Sequence, residues 1–282
     1  MILVTGATGT VGRHLVLELK TARLPFRVLT RDPARAHALL GPAEFSVGDL
    51  SRPETFPAAL SGVDAAFILS PLDPGLAAWE AGFARAAKTA GVKRLVKLSA
   101  LGADPRSAAA IPRWHGDAEE EVRRAGVPCA ILRPAAFYQN LLHSADSIRR
   151  GTLAAPLGDA RVAMIDARDV AAAAAAALAG AAHDGETLTL TGPAASTYAE
   201  IAAALTKVLR RPIAYAAVAP EDARRGMLEA GMPAWRVEAL LGLFEQFRAG
   251  RAEAVTGDVR RATGRDPLPL DRFIDDHALS FA

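Results

Sequence analysis

Short apolar runs recur along the chain, separated by stretches with helical spacing. ILVT (2–5), FRVLT (26–30), EFSV (44–47), DAAFIL (64–69), RLVKLS (94–99) and PCAILR (128–133) are apolar on both faces or nearly so, as parallel strands covered by helices on each side must be. Between them, GRHLVLELKTA and LAAWEAGFARAAKTAGV place apolar residues on one helical face, the second ending on Gly91 as a helix C-cap does. This alternation predicts an α/β fold with a doubly wound parallel sheet and right-handed crossovers. TLTLTG (187–192) predicts a seventh strand.

After residue 192 the pattern changes. STYAEIAAALTKVLRR predicts a helix opened by Ser196 or Thr197 with Glu200 in a capping box. IAYAAV (213–218) predicts one more strand, followed by helical segments to Phe247 and a polar tail. The expected division is a dinucleotide-binding Rossmann domain over 1–192 and a small α/β C-terminal cap over 193–282, with 150–165 contributing to the cap. Ligands of such sheets sit outside the carboxyl ends of the strands, where the cap is expected to lie. The alanine tract Ala171–Ala177, flanked by Asp166, Arg168 and Asp169, predicts a tightly packed helix and not a membrane span.

The run TGATGTVG follows the first strand and opens the first helix. Gly6 permits a tight turn, Gly9 lets backbone approach a pyrophosphate, and Gly12 is expected to let the helix pack close to the strand. Thr8, Thr10 and Val11 then offer the N–H groups of a helix N-terminus to the phosphates. The second strand ends VLTRDPARA. Arginine at this place suits a 2′-phosphate, whereas an acidic residue grips a ribose 2′-hydroxyl. Arg31 and Arg35, with Arg13 beyond the glycines, favour NADP(H) over NAD(H); Asp32 either caps the next helix or holds a ribose. Asp49 and Leu50 either bracket adenine or begin a helix. Leu69, Ser70 and Pro71 either face the nicotinamide side or form a plain turn.

Composition narrows the partners. The 282 residues carry 33 basic and 31 acidic side chains, a net charge of +2, with no basic stripe; a nucleic-acid partner is not expected. Cys129 is the one cysteine and lies in an apolar run, so no internal disulfide forms. None of the six histidines pairs with Cys, Asp or Glu at ligand spacing, so no metal is expected. With a strand pattern from residue 2 and no leader pattern, a cytoplasmic protein without a membrane partner is the expectation. Whether it is a monomer or a homodimer is left open.

LVTGATGTVGRHLV, LTRDPARA, GDLSRPETFPAAL, VKRLVKLSALGA, WHGDAEEEVRRAGVPCAILRPAAFYQNLL, IDARDVAAAAAAAL and TGRDPLPLDRFIDDHA together resemble the NmrA-like branch of the atypical short-chain dehydrogenase/reductases. The resemblance implies either an NAD(P)H-dependent reductase of quinones or dyes or a non-catalytic dinucleotide-sensing regulator. It places His115 near the nicotinamide ribose, as a hydrogen-bond partner or proton donor, or else as a helix-start residue. It also places Ser99 at the superfamily serine position, Pro134 and Phe137 over the nicotinamide, and Trp114, Tyr138 and Asn140 beside a small-molecule acceptor.

The catalytic tyrosine–lysine pair of the wider superfamily is missing: residues four beyond Tyr138, Tyr198 and Tyr215 are Leu142, Ala202 and Ala219. An ordinary alcohol dehydrogenase is therefore disfavoured. A quinone or dye needs less help, because it takes hydride readily and water can protonate the product.

Overall fold

The computed structural model describes residues 1–282. Along the chain run β1 (Ile2–Val4), α1 (Thr10–Thr21), β2 (Phe26–Thr30), α2 (Pro33–Leu40), β3 (Glu44–Val47), α3 (Phe56–Leu60), β4 (Ala65–Ile68), α4 (Leu76–Thr89), β5 (Arg94–Leu98), α5 (Ala110–Arg124) and β6 (Cys129–Pro134). Then come α6 (Ala145–Arg149), β7 (Thr152–Ala155), α7 (Ala167–Ala179) and β8 (Thr187–Leu190). Seven strands pair in parallel in the order β3-β2-β1-β4-β5-β6-β8. The chain reverses direction across the sheet between β1 and β4, which opens a crevice at their carboxyl ends.

Alternate residues of each strand feed two different cores. Val4, Val28, Phe67, Val96 and Leu132 pack beneath α1 and α7. Leu3, Leu29, Ile68, Leu95 and Ile131 pack beneath α3, α4 and α5. The alanine tract lies within α7 and is buried almost throughout, its small side chains letting that helix lie close along α1 and the sheet. No helix is long and apolar enough to cross a membrane.

The remaining elements are α8 (Tyr198–Leu209), β9 (Ala214–Ala217), α9 (Pro220–Glu229), α10 (Ala234–Arg248), α11 (Asp258–Thr263), α12 (Leu270–Asp276) and α13 (Ala278–Phe281). Thr197 opens α8 in a reciprocal capping box with Glu200. Strand β9 pairs in parallel with β7, so residues 152–155 form half of a small second sheet. This strand is absent from the sequence expectation because TLAA is short and half alanine, with little strand signature. Around it, Leu153, Ile201, Leu205, Phe273 and Phe281 form a third core. The polar tail is in fact three helices, α11 to α13, whose Phe273 and Phe281 are fully buried. Val259 of α11 returns to the core under α1 and α7, so the chain after residue 193 does not stay within the cap.

Candidate functional site

The glycine run builds a turn and then a helix with an unobstructed start. Gly6 has φ +62, and a Cβ there would meet the Leu69 carbonyl oxygen at 2.7 Å, so both conformation and space require glycine. A Cβ on Gly12 would lie 2.2 Å from the Gly6 carbonyl oxygen. Gly12 thus packs against the glycine turn itself, which corrects the expectation of a helix-to-strand contact. Gly9 is different: a Cβ would graze only the Gly6 carbonyl oxygen at 3.3 Å. Gly9 is also the N-cap of α1, and no side chain bonds its first-turn N–H groups. Those groups and the helix dipole suit a phosphate.

In front of this turn lies a cleft of about 380 Å³ at the carboxyl ends of β1, β2, β4 and β5. Of the residues the sequence points to, Gly6, Thr8, Gly9, Thr10, Val11, Arg31, Asp49, Leu50, Leu69, Ser70, Pro71 and Phe137 line it. Thr5, Ala7, Leu29, Thr30, Gly48 and Leu98 complete the wall. Thr5 Oγ1 accepts from the Leu69 N–H at 2.8 Å and donates to the Leu69 carbonyl at 3.1 Å, tying the ends of β1 and β4 together. Gly12, Arg35, Ser99 and Pro134 do not line the cleft.

At the β2–β3 end, Arg31 Nη1 lies 3.6 Å from Asp49 Oδ2, and the Arg31 side chain is 83% exposed. Burial pushes the Asp49 carboxyl up, but hydrogen bonds from Ser51 and the charges of Arg31 and Arg52 hold it below the usual carboxylate range. Asp32 accepts from the Arg35 N–H at 2.9 Å and caps α2, which settles one of its two sequence readings. Arg13 and Arg35 are exposed and have no carboxylate partner. Of these three arginines, Arg31 lines the cleft.

The opposite end rests on two buried polar groups. Ser70 Oγ donates to Glu80 Oε1 at 2.5 Å, and Glu80 Oε2 lies 2.5 Å from Lys97 Nζ, both charged side chains being buried. One strand further, Ser99 Oγ donates to Glu119 Oε1 at 2.5 Å. Arg133 grips the two Glu119 oxygens at 2.8 and 2.6 Å. Burial raises the Glu119 carboxyl, but the bonds from Arg133 and Ser99 outweigh it and leave the group below its ordinary range.

The residues the resemblance placed beside the nicotinamide and acceptor are scattered. His115 does not line the cleft; its Nδ1 is buried without a partner. Burial and the Lys97 charge hold its pKa well below the ordinary histidine value, so it is neutral at neutral pH and has no acid proton to give. Tyr138 is 4% exposed and packs on Phe273, and burial, with Asp166 and Asp169, pushes its phenol up. It is a core residue of the cap, because the tail folds back over it. Asn140 is exposed, and Trp114 packs edge-on against Trp235 of α10.

A second cavity, of about 310 Å³, lies between the loop after β5 and helix α10. Leu101, Pro112, Leu243 and Phe247 give it apolar walls, and Asp104, Arg106, Gln246 and Arg251 give it polar edges.

A family model described as the NmrA-like family matches residues 1–268. The chain belongs to the NmrA-like family. An NAD(P)H azoreductase of Xenophilus azovorans is 40% identical, over 100% of this chain and 99% of its own length. A (4-alkanoyl-5-oxo-2,5-dihydrofuran-3-yl)methyl phosphate reductase of Streptomyces griseus subsp. griseus is 39% identical, over 100% and 99%. Among solved structures of this fold, an NADPH-dependent quinone oxidoreductase of Escherichia coli complexed with NADPH superposes with a TM-score of 0.88. It is 27% identical and the match covers 99% of this chain and 100% of that one.

Glu80, Lys97 and Glu119, which stand behind Ser70 and Ser99, went unnoticed in the sequence. The lysine inside the apolar strand run RLVKLS was the available signal.

Proposed function

We infer that this chain is an NAD(P)H-dependent oxidoreductase, and we propose that it passes a hydride from NADPH to a quinone-like or conjugated aromatic acceptor. The observation that carries the reading is the cleft, whose glycine turn leads into a helix start that no side chain caps and where Gly9 has one close contact. Gly6, Thr8, Gly9, Thr10 and Val11 would hold the pyrophosphate, and Asp49 with Leu50 the adenine side. Arg31 would take the 2′-phosphate. Leu69, Ser70, Pro71 and Phe137 would place the nicotinamide, which supplies the hydride when bound.

The acceptor chemistry follows from what the chain lacks. Without a tyrosine–lysine pair, and with His115 neutral, no side chain on the cleft wall is an evident proton donor. Acceptors that stabilise the incoming electron pair by conjugation need only be positioned. The two relatives support this: an azo bond and an alkanoyl-substituted dihydrofuranone are both conjugated acceptors. The names of those relatives also favour turnover over non-catalytic sensing.

Purified protein mixed with NADPH and a panel of benzoquinones, naphthoquinones and azo dyes tests this reading. Loss of NADPH absorbance that depends on both protein and acceptor is the expected result. Binding of NADPH without turnover across the panel would leave the regulator reading in its place.

A further inference from the structure

Lys97 and Glu80 form an ion pair in the layer beneath α4 and α5, both with side chains at most 1% exposed. Removing two charges from water is expensive, and apolar residues of similar volume usually serve stability as well or better. Fold stability alone therefore gives little reason for this pair. Glu80, His115 and Cys129 stand around Lys97. Glu80 comes from α4, the neutral His115 from α5, and Cys129 from β6 with its thiol pushed up to about 12 by burial. Only Glu80 Oε1 points out of this layer, and it points to Ser70 at the cleft wall.

The direction of that bond has a chemical consequence. An ionised carboxylate only accepts, and a hydroxyl has a single proton. With Lys97 Nζ on Glu80 Oε2 and Ser70 Oγ donating to Glu80 Oε1, Ser70 commits its proton to Glu80 and shows the cleft only lone pairs. Ser70 can then meet a ligand group only if that group is a donor. Ser70 follows β4, two strands along the sheet order from β2, at whose end Arg31 stands; with Leu98 of β5 it lines the opposite end of the cleft. At that end, the donors of a dinucleotide are the carboxamide N–H groups and the ribose hydroxyls of its nicotinamide half. The Ser99–Glu119–Arg133 chain one strand further repeats the device, a strand-end serine donating to a buried carboxylate anchored by a cation.

We propose that Lys97 and Glu80 are positioning residues that fix Ser70 as a hydrogen-bond acceptor for a donor group on the nicotinamide half of the cofactor. The proposal rests on the cleft being the dinucleotide site, and its test separates the two. Affinities for NADPH and for adenosine 2′,5′-bisphosphate, which lacks the nicotinamide half, are measured by calorimetry on folded protein. Wild type binding neither would sink the dinucleotide reading itself.

Given binding, Ser70→Ala is expected to weaken NADPH about three- to tenfold, the range of one lost hydrogen bond, and to leave the bisphosphate unchanged. The double variant Glu80→Leu with Lys97→Met removes the pair without stranding a charge and is expected to do the same. Adding Ser70→Ala to it is expected to cost nothing further, because the three act as one unit. Ser70→Thr, which keeps the hydroxyl, is expected to bind like wild type. Additive losses, equal weakening of both ligands, or unchanged NADPH affinity in the double variant would overturn the proposal. Should the double variant not fold, Ser70→Ala and Ser70→Thr still decide: equal NADPH affinity in both would overturn it.

Discussion

Arg31 Nη1 stands 3.6 Å from Asp49 Oδ2 across the mouth of the cleft, joining the ends of β2 and β3. The pair is loose and largely exposed, so it contributes little to stability. Its guanidinium is free to turn from Asp49 to a 2′-phosphate. Arg31→Ala would remove that partner and leave the Asp49 charge facing the phosphate. The expected loss in NADPH affinity is roughly 1.5–3 kcal/mol, on the order of ten- to a hundredfold, with NADH little changed. Equal losses for both cofactors, or a wild type that prefers NADH, would contradict the NADP assignment.

The three glycines of the turn should fail in different ways. A side chain at Gly9 has open space except for one contact at 3.3 Å, so Gly9→Val is expected to fold and to lose dinucleotide binding. Gly12→Ala would drive a Cβ into the Gly6 carbonyl and is expected to lower the melting temperature as well. Circular dichroism melts alongside NADPH titrations read both outcomes. A folded Gly9→Val that binds NADPH normally would remove the pyrophosphate from this place.

Asp169 supplies a pH dependence with a definite sign. It is fully buried, its Oδ1 has no partner, and its Oδ2 accepts from the Leu268 N–H at 2.7 Å. Burial, and then the Asp166 charge, push its pKa up to about 6 from 3.8. The folded state therefore holds this proton more tightly than the unfolded chain. The resulting stabilisation is present below the unfolded pKa and is lost as pH rises through about 6. Over two pH units this amounts to roughly 3 kcal/mol. Asp169→Asn keeps an acceptor for Leu268 without the titration. Its stability relative to wild type is expected to rise between about pH 4 and 7 in urea melts, and parallel curves would contradict this.

His115, neutral and off the cleft wall, should leave no mark on the pH dependence of catalysis. kcat/KM with a weak acceptor is expected to stay flat across roughly pH 6 to 8, in wild type and in His115→Asn alike. An inflection near the ordinary histidine pKa that vanishes in the variant would restore it as a proton donor.

The sheet was legible because its strands are covered on both sides. Two-sided burial made β1 and β4 apolar throughout and β2, β5 and β6 mostly so, and helical spacing filled the gaps. The phosphate turn was legible because its glycines meet steric demands visible in their spacing. Strand β7 was not, since two of its four residues are alanine and its partner β9 lies some sixty residues away. Tyr138 looked available for an acceptor because its burial depends on Phe273, far along the chain. The serine–glutamate pairs escaped notice for a related reason. Glu80 and Glu119 look like solvent charges on amphipathic helices until the register of α4 and α5 against the sheet turns them inward.

Hydride delivery from this cleft to a conjugated acceptor is the step on which the proposed activity stands. Its most direct test uses NADPH deuterated at the transferable C4 position, with a naphthoquinone or azo dye and either wild type or Gly9→Val. Acceptor-dependent NADPH oxidation by wild type is expected, slowed by the label where hydride transfer limits single turnover, and absent in Gly9→Val. Tight NADPH binding by wild type with no oxidation across the acceptor panel would contradict it.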